Sequence, residues 1–162
     1  MQKTSIKLPE IKLVGITCRT SNAEVFNSAP ADNKIVQTIQ KYFANGCPEK
    51  IAHRSKPRTT YGVYTNYESD FNGEYTYFIG EEVSSLEGLP EGFETITIPI
   101  QNYAKFTNEP GPMPAVCIDM WKNILGQEEL MAQRGYIADF EVYDIRSKDQ
   151  QNAVLDIYIG VK

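Results

Sequence analysis

Hydrophobic and polar residues alternate along residues 138–145 with the period of a β-strand. Phe140 points to one face of this segment. Asp139, Glu141 and Tyr143 point to the opposite face. A glutamate between apolar strand residues usually faces solvent, and the neighbouring Asp139 favours that interpretation. The alternative is that aromatic side chains from other elements shield Glu141 from water, which would make it a site for a cation.

Further strands are predicted wherever apolar and β-branched residues alternate or cluster. These segments are residues 11–19, 60–65, 74–83, 94–106 and 153–161. Pro99 lies inside the fourth of them and predicts an edge strand, a bulge or a break into two strands. Residues 21–32 and 47–58 are polar and contain prolines, so we expect both to be connections.

Two segments have apolar residues at intervals of three and four, which predicts helices with one buried face. The first helix is expected to begin after Asp32 or Asn33, either of which can cap it, and to end at Gly46. The second covers residues 115–125, and residues 127–134 are expected to add a short helical turn. The elements therefore follow the order strand–helix–strand–strand twice.

The two halves of the chain also align as a sequence repeat. Residues 61–65 match residues 140–144, and the same spacing places Tyr42 on Trp121 in the two helices. After a slip of one residue, 78–80 match 158–160. At the first spacing, Gly62 corresponds to Glu141, so the second half has a carboxylate where the first has no side chain.

This repeat predicts an α+β fold built from two β-α-β-β units related by a pseudo-twofold axis. We expect an antiparallel-rich sheet with both helices packed on one side. The units cover about residues 11–83 and 94–162, and together they are expected to form one domain over residues 1–162.

Composition excludes several classes of function. The net charge of −5 argues against nucleic-acid binding, which depends on lysine and arginine at phosphates. The basic run at residues 53–58 contains a proline and lacks interleaved aromatics, so we interpret it as a solvated loop. No segment has the length or apolarity of a signal peptide or membrane span, so we expect a cytoplasmic protein that does not bind membranes.

Catalytic and metal chemistry find little support. His53 is the only histidine, and its neighbours are basic loop residues. Cys18, Cys47 and Cys117 form no CxxC pair, and Cys18 and Cys117 lie in apolar stretches typical of small core residues. We therefore predict no metal, no cofactor and no enzymatic nucleophile.

Aromatic residues are placed to surround Glu141. Tyr143 shares its face of the strand, Tyr158 lies on the following strand, and Trp121 lies on the helix that leads into it. A carboxylate among aromatic rings suits a lipophilic cation, because the carboxylate matches its charge where water is scarce. Each ring face adds cation–π attraction of roughly 0.5 to 2 kcal/mol.

Several short motifs, in this order, resemble the GyrI-like superfamily. This superfamily includes the effector-binding domain of AraC-type and MerR-type multidrug-sensing regulators. Within it, the chain closely resembles the stand-alone effector-binding proteins carried on mobile integron gene cassettes. The motifs are LVGI at 13–16, RTSN at 19–22, YTYFIGEEV at 75–83, FEVY at 140–143 and DIYI at 156–159.

The resemblance implies two SH2-like strand–helix–strand–strand units and an aromatic pocket with an acidic residue that meets cationic drugs. The acidic residue of the family falls on Glu141, and the aromatic residue of the closing strand falls on Tyr158. Repeat positions and helix faces add weaker candidates. The candidate ligand-binding residues are Glu141, Tyr143, Tyr158, Trp121, Phe78, Tyr64 and Phe106.

The chain departs from the regulators because it has no room for a helix-turn-helix before the strand at about Ile11. We therefore expect a binding module for lipophilic, cationic small molecules that does not itself contact DNA. Two alternatives remain open. Glu141 could act as a general acid or base in a hydrolase of small strained electrophiles, or the protein could act by binding a protein partner, including a second copy of itself.

Overall fold

Eight strands form one antiparallel sheet in the computed structural model, which describes residues 1–162. The strands are β1 (Gln2–Leu8), β2 (Ile11–Ser21), β3 (Thr60–Thr65), β4 (Glu74–Glu82), β5 (Glu94–Ile98), β6 (Gln101–Thr107), β7 (Ala138–Tyr143) and β8 (Asp156–Val161). Their order across the sheet is β1-β6-β8-β7-β3-β4-β2-β5. Every pair of neighbouring strands is antiparallel.

Five α-helices and two single 3₁₀ turns complete the chain. The helices are α1 (Asn22–Asn27), α2 (Lys34–Ala44), α3 (Cys47–Lys50), α4 (Ala115–Leu125) and α5 (Glu128–Gln133), and the 3₁₀ turns are Pro30–Asp32 and Ile145–Ser147. Asn33 caps α2, because its Oδ1 accepts hydrogen bonds from the backbone N–H groups of Ile35 at 2.9 Å and Val36 at 3.1 Å. No helix is both long and apolar enough to cross a membrane.

The strand order confirms the predicted α+β fold with its internal repeat. Strands β6, β8 and β7 on one side mirror β2, β4 and β3 on the other, and β3 pairs with β7 in the middle. In that central pair Gly62 lies directly opposite Glu141. These two residues also correspond in the sequence repeat, so the pseudo-twofold axis passes between them.

One short connection requires the sheet to curl. Only Pro9 and Glu10 separate β1 from β2, although these strands are first and seventh in the sheet order. Six strand spacings in a flat sheet would span about 29 Å, whereas the three Cα–Cα steps of this connection reach about 11 Å at most. The sheet must therefore bend until its two ends approach each other. The concave side holds one buried cluster that includes Tyr61, Phe78 and Phe140.

The helices lie on the other face of the sheet, over its two ends. Helix α2 packs on the β2–β4 side through a cluster that includes Tyr42, Ile16 and Ile79. Helix α4 packs on the β6–β8 side through Met120, Ile124 and their neighbours. The central strands β3 and β7 lie between these two clusters, so they form the floor of a space with one helix on each side.

Three expectations about the elements were wrong or incomplete. The first strand begins at Gln2 rather than at about Ile11, because β1 is an edge strand whose residues are mostly exposed and show no clear alternation. The expected connections at 21–32 and 47–58 contain α1 and α3. Residues 94–106 break at Pro99 into β5 and β6, which was one of the predicted outcomes and which sends the two strands to different partners.

Candidate functional site

A cavity of about 230 Å³ lies between α2 and α4 above the central strands. Its walls are mostly apolar and aromatic. They include Ile35 and Ile39 from α2, Cys117, Ile118 and Trp121 from α4, Tyr75 and Tyr77 from β4, Tyr64 from β3, and Glu141 and Tyr143 from β7. The exposed Phe26 of α1 also contributes to the wall.

Glu141 is the anionic centre of this cavity and is only 3% exposed. Its Oε2 accepts hydrogen bonds from the Trp121 indole N–H at 2.5 Å and from the Tyr64 hydroxyl at 2.8 Å. Its Oε1 accepts one from the Tyr143 hydroxyl at 2.6 Å. The Cys117 thiol also donates to Oε2 at 3.7 Å. All four donors are neutral, and Glu141 takes part in no salt bridge. The site therefore stabilises a carboxylate without neutralising its charge.

Gly62 makes room for this carboxylate. A Cβ at Gly62 would lie 2.9 Å from the Tyr77 hydroxyl and 3.2 Å from Glu141 Oε1. Because Gly62 faces Glu141 across the strand pair, any side chain there would press on the carboxylate and on its aromatic surroundings. Gly62 in the first half of the chain therefore provides the space that Glu141 in the second half requires.

Burial and the charge of Glu141 keep the surrounding hydroxyl and thiol groups protonated. Burial first, and the Glu141 carboxylate second, raise the pKa of Tyr64, Tyr77 and Tyr143 well above the ordinary value. The same two causes raise the pKa of the Cys117 thiol, whose Sγ lies 3.7 Å from Glu141 Oε2 and 3.5 Å from the Tyr143 hydroxyl. These groups remain hydrogen-bond donors near neutral pH.

A second carboxylate, Asp139, lies one strand period before Glu141 on the same face of β7 and is completely buried. Unlike Glu141, it has a basic partner. Arg134 Nη2 lies 2.6 Å from Asp139 Oδ2, and the Tyr67 hydroxyl donates to the same oxygen at 2.5 Å. Neither carboxylate faces solvent, so the interpretation of this strand face as a solvated surface is wrong.

Four of the seven candidate residues come together at the cavity: Glu141, Tyr143, Trp121 and Tyr64. Tyr158 and Phe78 do not, because antiparallel pairing places residues that are directly opposite each other on the same face. Tyr158 is opposite Phe140 and stacks on it at a centroid distance of 4.6 Å, on the concave side of the sheet. Phe78 lies on that side as well.

Phe106 is on the helix face of the sheet but does not reach the cavity. It is fully buried in the cluster beneath α4, two strands away from β7. Tyr158, Phe78 and Phe106 therefore do not line the cavity.

Sequence reasoning did not single out Tyr77, Cys117, Arg134 or Tyr67 as residues of the site. Tyr77 could have been found, because it alternates with Phe78 on β4 and so must face the helices. Cys117 was expected in the core and instead lines the cavity, whereas Cys47 is the buried cysteine. Arg134 and Tyr67 lie outside the strands, and no periodic pattern indicates their position. No group of three or more His, Cys, Asp or Glu side chains is arranged to hold a metal ion.

A duplicated antiparallel sheet, with a buried glutamate in an aromatic cavity between the two helices, defines a GyrI-like effector-binding domain. More specifically, the chain belongs to the family of integron-associated effector binding proteins called Cass2, whose family model matches residues 6–161.

Individual relatives agree with this assignment. The chain is 28% identical over 151 residues to the putative transcriptional regulator protein YobU of Bacillus subtilis, covering 93% of this chain and 92% of that protein. It resembles the structure of the integron cassette protein VCH_CASS2 of Vibrio cholerae at 27% identity and a TM-score of 0.78, covering 99% of this chain and 95% of the other.

The fold also matches the structure of SAV2435 bound to tetraphenylphosphonium. The TM-score is 0.78 at 16% identity, and the match covers 100% of this chain and 94% of the other. At this level of identity the match concerns the fold alone.

Proposed function

We propose that this protein binds lipophilic organic cations in the cavity, with the positive charge next to Glu141. The observation that carries the proposal is a buried carboxylate whose only hydrogen-bond donors are neutral. Burying an ion without a counter-charge is costly, and a cationic ligand would supply that counter-charge.

The walls of the cavity suit the apolar part of such a ligand. Tyr64 and Trp121 meet edge to face with their ring centroids 5.1 Å apart, and Tyr77 packs on Tyr64 at 5.4 Å. Aromatic faces attract cations and accept varied apolar shapes with few directional demands. The volume of about 230 Å³ is at the small end for ligand sites. We therefore expect a compact aromatic cation, or one arm of a larger one.

The comparisons support the same class of ligand. The family is defined by effector binding, and a protein of the same fold has been solved with tetraphenylphosphonium, which is itself a lipophilic cation.

Isothermal titration calorimetry with two ligands of similar shape tests the proposal. The ligands are N-methyl-4-phenylpyridinium, which carries one positive charge, and 4-biphenylmethanol, which is neutral. Two charges at 4 Å attract by about 4 kcal/mol at an effective dielectric constant of 20. Desolvation of the ligand offsets part of this attraction. We expect a net attraction of at least about 1.4 kcal/mol to remain, which corresponds to a tenfold preference for the cation.

Glu141→Gln should remove this preference and leave binding of the neutral ligand nearly unchanged. Glu129→Gln is the matched control, because it makes the same change at an exposed position of α5 that has no salt bridge. Equal affinity for the two ligands, or a cation affinity indifferent to Glu141→Gln, would refute the role of the carboxylate. The bound cation should be recovered unchanged, whereas conversion to a product would favour the hydrolase alternative.

A further inference from the structure

The cavity has two buried carboxylates on its floor strand but only one that is free to meet a ligand. Asp139 and Glu141 lie on the same face of β7, and both are shielded from water. If both were uncompensated, the cavity would carry two negative charges in a region of low dielectric constant, where they would repel each other strongly.

Arg134 balances the formal charge of Asp139. Its side chain is only 4% exposed, and its Nε and Nη2 lie 3.3 Å and 2.6 Å from Asp139 Oδ2. The other carboxylate oxygen, Oδ1, accepts a hydrogen bond from the backbone N–H of Gly160 at 2.7 Å. The protein itself therefore supplies close partners to both carboxylate oxygens of Asp139.

Aromatic rings hold the guanidinium in place. Arg134 lies over the ring of Tyr136 at 4.6 Å and over that of Tyr67 at 5.5 Å. Arg134 and Tyr67 are also part of the cavity wall, together with Glu141. The guanidinium of Arg134 thus forms part of the cavity wall, where it meets a bound ligand, whereas the fully buried Asp139 does not line the cavity.

We propose that the Arg134–Asp139 pair fixes the charge of the cavity at minus one and thereby restricts the site to cations with a single positive charge. This inference rests on the proposed function and adds the number of positive charges that the ligand carries. One positive charge is matched by Glu141. A second positive charge in the same cavity would be desolvated without a partner, and the guanidinium of Arg134 in the cavity wall would repel it.

A purely structural role is the competing explanation. The pair links the residue after α5 to the start of β7, and Gly160 joins β8 to the same group, so it could serve only as an anchor for the fold. The two explanations differ in one measurable respect. If the ion pair sets the charge of the cavity, the preference for monocations over dications changes when the net charge of the cavity changes. If the pair only stabilises the fold, this preference stays the same.

A series of variants changes that net charge stepwise. Asp139→Asn gives a cavity charge of zero, Arg134→Met gives minus two, and the double variant returns to minus one without an ion pair. The ligands are the monocation N-methyl-4-phenylpyridinium, the dication 1,1′-dimethyl-4,4′-bipyridinium and the neutral 4-biphenylmethanol, which share a two-ring frame. Calorimetry gives all three affinities for each protein.

We expect the wild-type protein to bind the monocation at least about tenfold more tightly than the dication. Arg134→Met should shift this ratio toward the dication by about tenfold or more, and Asp139→Asn should weaken the monocation by a similar factor while sparing the neutral ligand. The double variant should keep the wild-type ratio. If one single variant fails to fold, the other still decides, because the wild-type protein and the double variant have the same net charge and both explanations predict the same ratio for them.

Three results would overturn the inference: a wild-type protein that binds the dication as tightly as the monocation, single variants whose ratio does not move, or a double variant that loses its preference for the monocation. None of these is the failure of the proposed function itself, which would appear as equal binding of the monocation and the neutral ligand by the wild-type protein. The two hypotheses can therefore fail separately.

Discussion

Replacing Gly62 by alanine should disturb the binding site although no side chain of the site is removed. Gly62 does not have a positive φ, so alanine introduces no backbone strain. The added Cβ would, however, lie 2.9 Å from the Tyr77 hydroxyl and 3.2 Å from Glu141 Oε1. Ordinary van der Waals contact begins at about 3.5 Å, so both groups must move by several tenths of an ångström.

The energy of this change can be bounded from the structure. Tyr77 is only 1% exposed and is packed against the ring of Tyr64, so it cannot simply rotate away. Overpacking of this kind costs about 1 to 3 kcal/mol, while alanine is favoured over glycine in a strand by about 0.5 to 1 kcal/mol. We expect a net loss of up to about 2.5 kcal/mol, or a fall in Tm of up to about 10 °C for a domain of this size.

Urea unfolding of the wild-type and Gly62→Ala proteins measures the change in the free energy of unfolding. Calorimetry with N-methyl-4-phenylpyridinium measures the change in cation affinity. The cation affinity should fall by about tenfold, because the displaced Oε1 loses its hydrogen-bond geometry with Tyr143. Gly126→Ala is the control, because a Cβ at the end of α4 has its closest contact at 3.4 Å. A Gly62→Ala protein with unchanged stability and full cation affinity would refute the tight contact at the sheet centre.

Three further changes test the surroundings of the carboxylate. Trp121→Phe keeps most of the ring packing but removes the N–H donor to Glu141, and we expect cation affinity to fall by roughly three- to tenfold in a calorimetric titration. Alkylation of Cys117 by iodoacetamide at pH 8, followed by mass spectrometry, should be slow and should accelerate in Glu141→Gln, because the carboxylate raises the pKa of the thiol. Stability should fall as pH rises above about 10, since buried tyrosines with a raised pKa keep their protons in the folded protein while the unfolded chain ionises. Absorbance at 295 nm should show this ionisation together with unfolding, and early ionisation of most tyrosines in the folded protein would contradict it. The tyrosines concerned are Tyr42, Tyr61, Tyr64, Tyr67, Tyr75, Tyr77, Tyr103 and Tyr143.

Local periodicity and the repeat were sufficient to predict the fold and to select four residues that line the cavity. Alternation along β7 placed Glu141 and Tyr143 on one face, and helical spacing placed Trp121 on the helix that precedes this strand. These relations depend on neighbours along the chain, so sequence reveals them directly. The repeat likewise needs only a comparison of one half of the sequence with the other.

Relations across strands were harder to predict, because register depends on the turn between them. The connection from β7 to β8 contains the 3₁₀ turn Ile145–Ser147, and its geometry pairs Tyr158 with Phe140 rather than bringing it toward Glu141. The basic partner of Asp139 comes from Arg134, which follows a short helix and lies in no regular strand. Such a contact is fixed by the folded chain and leaves no periodic signal.

The position of Glu141 on the pseudo-twofold axis has a consequence for how such a site could arise. In a symmetric assembly of two identical subunits, any residue on the axis faces its own copy. Such an assembly could place two glutamates there, which would repel each other, or two glycines, which would supply no charge. A lone carboxylate opposite a glycine requires two halves that differ in sequence. Joining both halves in one polypeptide lets each side of the axis vary independently, and a single negative charge at the centre of a twofold fold depends on that freedom.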